Sequence, residues 1–135
     1  MSGEYVEILR ALIDHWNAGN RDLTTIGAYF DPAIELESPF SSIAGEPYRG
    51  HAGIEQWARD VDEQFAEWRI TLGDIRVIPD AVLATSQIHA RGRASGVLVD
   101  FPATAIAYFS SNHLMTGARI YLEVGEALKA VGPED

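Results

Sequence analysis

The chain of 135 residues sets ten Lys and Arg against twenty Asp and Glu, a formal charge of -10, and 47% of it is hydrophobic. That length supports one domain with its own core, and a negative field without a dense Lys/Arg cluster excludes nucleic acid and anionic membrane surfaces as partners. The lack of cysteine excludes disulfides, thiolate zinc sites and cysteine nucleophiles, and with no signal-like start and no long apolar run it points to a cytoplasmic, unexported protein.

Val6, Leu9, Ile13 and Trp16 recur at helical spacing, and Asn17-Ala18-Gly19-Asn20 supplies the stop. Asp22 opens a second, shorter helix expected to end near Phe30, with Asp31-Pro32 as the break. Ile34 to Ser38 alternates as a strand, and Pro39 to Gly50 has the composition of an irregular loop. A third helix is expected from His51 to Glu67, with Ile54, Trp57, Ala58, Val61 and Phe65 as its apolar stripe. Four strand-like runs follow, Arg69 to Ile78, Val82 to Arg93, Val97 to Phe109 and His113 to Leu122, forming an antiparallel meander. Glu123 to Pro133 reads as a short terminal helix. Helices first and strands after define an α+β domain, with helices on one face of a curved antiparallel sheet.

The element order, the Tyr48-Arg49-Gly50-His51-Ala52-Gly53-Ile54 turn, the Gly92-Arg93-Ala94-Ser95-Gly96 link and the closing Tyr121 to Leu128 segment together resemble the SnoaL-like branch of the nuclear-transport-factor-2-like superfamily. The resemblance covers nearly the whole chain. It implies a single domain in which a bent sheet, wrapped by three helices on the N-terminal side, makes a cone with an internal pocket, and a homodimer formed through the outer sheet face. Members include ketosteroid isomerases, epoxide hydrolases, polyketide cyclases and non-catalytic binders, so the fold leaves the reaction open. Carried over residue by residue, the isomerase set of tyrosine, carboxylate base and protonated aspartic acid falls on Leu12, Ser38 and Ala107. The Asp-Arg-Asp set of limonene-epoxide-hydrolase-like members falls on Ser86, Ile88 and Ile120. Neither set is present.

Strand alternation places Ala105, Ala107 and Phe109, and then Ala118, Ile120 and Leu122, on one sheet face as a small-residue apolar lining. Trp16, Phe30, Leu36, Ser38, Trp57 and Ile88 complete the expected pocket, with Phe40 and Tyr48 from the irregular loop where binding residues concentrate. Ile106, Tyr108 and Tyr121 fall on the opposite face among Thr85, Gln87, His89, Arg91, Thr104 and Arg119, a mixture that suits a self-complementary interface. Glu37, Asp100 and His15 are the candidate acid-base groups; the plainer account has Glu37 facing solvent with Glu35, Asp100 paired with Arg91 or Arg93, and His15 partly exposed on its helix. His51 is expected to cap the third helix and His113 to sit at a hairpin, and the four histidines lack metal-ligand spacing. No phosphate loop, nucleophile elbow or dinucleotide fingerprint is present, so no cofactor is expected. The sequence thus points to a binder of a small apolar or polycyclic molecule. The alternative is a cofactor-independent isomerase, polyketide cyclase or hydratase with a pocket carboxylate as base, and an accessory or assembly subunit is a third reading.

Overall fold

Helix α1 (Ser2–Asn17) buries Leu9, Leu12 and Trp16 on one stripe. Gly19, at φ 88°, closes it, and its N–H donates to the Trp16 carbonyl at 3.1 Å. Only glycine reaches that left-handed backbone without penalty. The last helical side chain then fixes the helix to the sheet: Asn17 Nδ2 donates to the Ile70 carbonyl at 2.7 Å, and Ile70 N–H returns a bond to Asn17 Oδ1 at 2.9 Å. This computed structural model describes residues 2–19, 26–38, 46–79 and 81–122.

Strand β1 (Phe30–Glu37) begins earlier than its alternation suggests, after a 3₁₀ turn over Gly27–Tyr29. Asp31-Pro32 therefore lies inside the strand and does not break a helix. Pro32 has no N–H to give to a ladder, Asp31 Oδ1 accepts the Ala33 N–H at 2.8 Å, and the pairing register shifts between Phe30 and Glu35. The first residues of the expected second helix (22–25), the terminal helix and the loop residue Phe40 lie outside the described residues, and the expected end of that second helix is instead the 3₁₀ turn and the start of β1; two α-helices are seen among the described residues.

Strand β2 (Tyr48–Arg49), too short to show periodicity, pairs antiparallel with Leu36 and Glu35. Helix α2 (Gly50–Gln64) follows, with Ile54, Ala58 and Val61 buried. It ends three residues before Glu67 because Phe65 is already extended, its N–H donating to the Val61 carbonyl. Phe65 satisfies the helical spacing from Val61, yet it opens strand β3 (Phe65–Ile78). Strands β4 (Ala81–Gly92), β5 (Leu98–Phe109) and β6 (Met115–Tyr121) continue the meander.

The six strands lie in the order β2-β1-β6-β5-β4-β3. All neighbours are antiparallel except β1 and β6, so the sheet is mixed and not purely antiparallel. These two strands are joined by a long crossover that includes α2, which parallel pairing requires. The helices cover one face, where Ile34, Leu36, Ile54, Val82 and Ala107 pack in the principal core. On the other face Ala81, Leu83 and Ile106 form a second buried cluster with Tyr108 and Tyr121 against it. Ile106 and Thr104, expected in an exposed interface, are therefore already covered within the chain. Among the described residues no helix is long and apolar enough to cross a membrane.

Candidate functional site: an apolar cavity under the helices

The inner sheet face meets α1 and α2 around a cavity of about 120 Å³. Its wall is a consequence of short side chains at adjoining positions on three strands. Ala84 stands opposite Ala105, Ser86 opposite Ala103, and Ala107 opposite Ala118, all of them on the wall. Larger residues there would close the space, since interiors otherwise pack to crystal density. Leu9, Leu12 and Ile13 from α1 and Ile54 and Trp57 from α2 close the other side.

The wall carries no titratable side chain among the described residues. Ser86, its only hydroxyl, donates to the Ala103 carbonyl at 2.9 Å. Trp57 Nε1 is buried and has no hydrogen-bond partner. The neighbouring indole differs: Trp16 stacks on Trp57 with ring centroids 4.6 Å apart, and its own N–H reaches the Trp68 carbonyl at 3.1 Å.

Nine of the residues expected at a pocket, Phe30, Leu36, Trp57, Ile88, Ala105, Ala107, Ala118, Ile120 and Leu122, lie on this wall. Trp16 is buried behind it against Trp57. Phe109 is turned away because Tyr5 stacks on it at 4.5 Å with an interplanar angle of 4°. Ser38 is buried but is not on the wall. Tyr48 is fixed outside it by a 2.5 Å bond from its hydroxyl to Asp60 Oδ2, and burial followed by that carboxylate raises its pKa. The sequence reading missed Ile34, Trp68, Ile70, Leu72, Phe101 and Met115 on the wall. Period-two alternation along β3 from Trp68 carries the signal for three of these.

The candidate acid-base groups are not brought together. Glu37 is exposed on the outer face, 3.8 Å from Arg119, and Glu35 lies 3.5 Å from Arg49. Glu35, Glu37, Tyr108 and Arg119 border an outer cleft of about 390 Å³. A hydrogen bond with Tyr121 and then the charge of Glu37 raise the Arg119 pKa. Asp100 pairs with His89, Oδ1 to Nδ1 at 2.6 Å, and not with an arginine; it stands directly opposite His89 in the β4–β5 register. Arg91 instead meets Glu67 at 2.8 Å, and Arg93 donates to the Asp62 and Phe65 carbonyls. His15 sits beside Tyr29, with ring centroids 5.9 Å apart, and does not line the cavity. His51 does not cap α2: its Nε2 lies 3.0 Å from the Phe30 carbonyl oxygen. His113, in the β5–β6 turn at φ 63°, packs edge-on against Tyr5. Among the described residues no group of three or more His, Asp or Glu could hold a metal ion.

A six-stranded sheet with two helices over an apolar cavity defines the α+β class of cystatin-like and nuclear-transport-factor-2-like proteins. Residues 9–116 match the model of the SnoaL-like domain, and the chain belongs to that family. Among solved structures it is similar to a nuclear-transport-factor-2-like protein of unknown function from Burkholderia pseudomallei K96243, with TM-score 0.78, 14% identity, and 96% of this chain and 98% of that chain covered. It is similar to a putative SnoaL-like polyketide cyclase from Jannaschia sp. CCS1, with TM-score 0.77, 16% identity, and 98% and 95% covered. TerC, co-crystallized with polyporic acid, also matches, with TM-score 0.77, 15% identity, and 96% and 99% covered. None of the curated proteins matches the chain. At these identities the shared property is the fold.

Proposed function

We propose that this protein binds a small apolar molecule in the cavity under its helices, acting as the interior of a cone, without the recognised isomerase or epoxide hydrolase chemistry. The observation that carries this reading is the wall itself: adjoining alanines keep space open in a core, and the positions assigned to family catalysis at Leu12, Ser86, Ile88, Ala107 and Ile120 all line it without an ionisable group. The co-crystallization of TerC with polyporic acid agrees with a small-molecule role for this fold. An isomerase, cyclase or hydratase has less support, because Glu37 and Asp100 stand on the outer face, Glu37 beside Arg119 and Asp100 hydrogen-bonded to His89.

Neutral ring compounds titrated into the protein are expected to change the emission of Trp57 and Trp68, both on the wall, in a saturable way. Ala105→Leu fills part of the space a ligand would take, and a steric loss of about 1.4 kcal/mol of binding free energy corresponds to binding weakened about tenfold. A linear, unsaturable response, or wild-type affinity in Ala105→Leu, would overturn the reading.

The outer sheet face supports a homodimer less strongly than its composition suggests, since Ile106 and Thr104 are covered. Its Arg91–Glu67 pair still offers charges of both signs for a self-complementary contact. Sedimentation velocity is expected to give a dimer that weakens in Arg91→Glu; a monomer at all concentrations would remove this part.

A further inference from the structure

Thr71, His89 and Asp100 stand on three adjoining strands of the outer sheet face, away from the cavity. They alternate along β3, β4 and β5 with the wall residues Ile70, Leu72, Ile88 and Phe101, so all three point outward. Asp100 is directly opposite His89, and Thr71 lies diagonal to it, opposite Gln87. Both imidazole nitrogens are engaged: Nδ1 is 2.6 Å from Asp100 Oδ1, and Nε2 is 3.2 Å from Thr71 Oγ1. Thr71 and Asp100 are exposed and His89 is half-buried.

An ionised carboxylate only accepts, so in neutral His89 the proton sits on Nδ1, and Nε2 accepts the Thr71 O–H. A polar ladder on a wet sheet face needs only the cross-strand pair; here a hydroxyl occupies the remaining nitrogen as well. Hydroxyl, imidazole and carboxylate in that order activate a nucleophile for acyl transfer, an arrangement defined by geometry and not by fold or chain order. Three paired strands also hold the groups more rigidly than a loop would. We propose that Thr71, His89 and Asp100 form a second site, independent of the cavity, that hydrolyses short-chain aryl esters. A dimer contact at Glu67 and Arg91, the next pair on this face, would border the site without using its three side chains.

Thr71 Oγ1 attacks the ester carbonyl carbon as His89 Nε2 takes its proton, and Asp100 holds the resulting imidazolium. The tetrahedral intermediate then breaks its bond to the leaving phenol oxygen, which receives the proton from His89, and Thr71 is left acylated. Water attacks the acyl-threonine with His89 as base; the acid departs and Thr71 Oγ1 recovers its proton. Ester and water become acid and phenol with no other reactant. Arg69, opposite His89, and Gln87, opposite Thr71, bring N–H donors to this face for the carbonyl oxygen as it becomes negative. These are long side chains and not fixed backbone amides, so the leaving group has to be a good one. An open sheet surface has no wall for a long chain, so the acyl group is short.

The test follows p-nitrophenyl acetate hydrolysis by phenolate release, with mass spectrometry of acid-quenched, digested protein to locate the acetyl group. The unaltered protein is expected to carry it on Thr71. Thr71→Val and His89→Gln are each expected to lower the rate about 10²-fold, and the double variant no further, because the groups act as a unit. Thr71→Ser is expected to keep the rate, which separates loss of the hydroxyl from loss of the fold. Asp100 positions the imidazole, so in Asp100→Asn nitrogen NMR of His89 is expected to show the neutral proton moved from Nδ1 to Nε2, together with a slower rate. Any exposed imidazole cleaves this ester to some extent. An unchanged rate in Thr71→Val, acetyl groups only on other residues, or no release above the buffer rate would therefore overturn the proposal, and none of these outcomes bears on binding in the cavity.

Discussion

Ala107→Asp is expected to leave a protein that is strongly destabilised at neutral pH and largely rescued by acid. Ala107 is 2% exposed, stands between Val82 and Ala118 in register, and faces a cavity with no cation on its wall. A carboxylate there would lose hydration with no partner, so its folded-state pKa would rise well above the unfolded value of about 3.9. Below that value both states are protonated and no charge penalty applies. As pH rises, the unfolded chain ionises first, and stability falls by about 1.4 kcal/mol per pH unit until the raised pKa is reached. Unfolding free energies from urea titration at about pH 4.5 and 7, each compared with the unaltered protein, should diverge by a few kcal/mol in total. A loss of equal size at both pH values would show that the side chain had found solvent or a counter-charge. The same substitution puts an acid at the position to which the family resemblance carries the isomerases' protonated one, so it also asks whether an acid alone confers turnover on this cavity.

Gly53→Ala should reverse the usual sign of a helical glycine substitution. In an ordinary helix interior, alanine is favoured over glycine by about 1 kcal/mol. In α2 a Cβ at residue 53 would lie 2.8 Å from the Tyr48 carbonyl carbon and 3.2 Å from its Cα. Tyr48 cannot easily retreat, because it pairs with Leu36 in β1 and its hydroxyl is held by Asp60. The clash has to be relieved by displacing α2 from the sheet, a strain of about 1–3 kcal/mol that outweighs the helix preference. Denaturant unfolding is expected to give a lower midpoint with an unchanged slope. A higher midpoint would mean that the approach of α2 to β2 is not a fixed constraint.

The elements legible in the sequence are those whose burial follows one period over many residues. The stripe of Leu9, Leu12 and Trp16 has one face in the core and carries that signal, whereas β4 and β5 are buried on both faces over Ala81–Ala84 and around Ile106 and are legible from their long apolar runs. Tyr48–Arg49 is too short for any period, and Phe65 satisfies the helical and the strand pattern at once, so β2 and the end of α2 are settled by tertiary pairing. Phe30, beside Asp31-Pro32, sits in a strand because β6 pairs with it across a register shift, a contact no local pattern encodes. The cavity was half legible: Ala107, Ala118 and Ile120 follow from alternation, whereas Ile34, Phe101 and Met115 join them only through the fold. Partner choice was least legible. Asp100 has arginines nearby in sequence, but the register of β4 and β5 sets His89 directly opposite it.

The parallel pairing of β1 with β6 bears on how the chain reaches this state. Phe30 lies opposite Met115 and Leu36 opposite Ala118, so the second strand edge of β1 is filled by almost the last part of the described chain. Contacts between residues so distant in sequence carry a large loop-closure entropy and slow the search for the native topology. The β3–β4–β5–β6 meander, built from neighbours in sequence, can assemble before that step. During synthesis Ile34 and Leu36 therefore wait without their β6 neighbours until that strand leaves the ribosome, and the apolar cavity, which Met115, Ala118 and Ile120 help to line, is incomplete until β6 pairs.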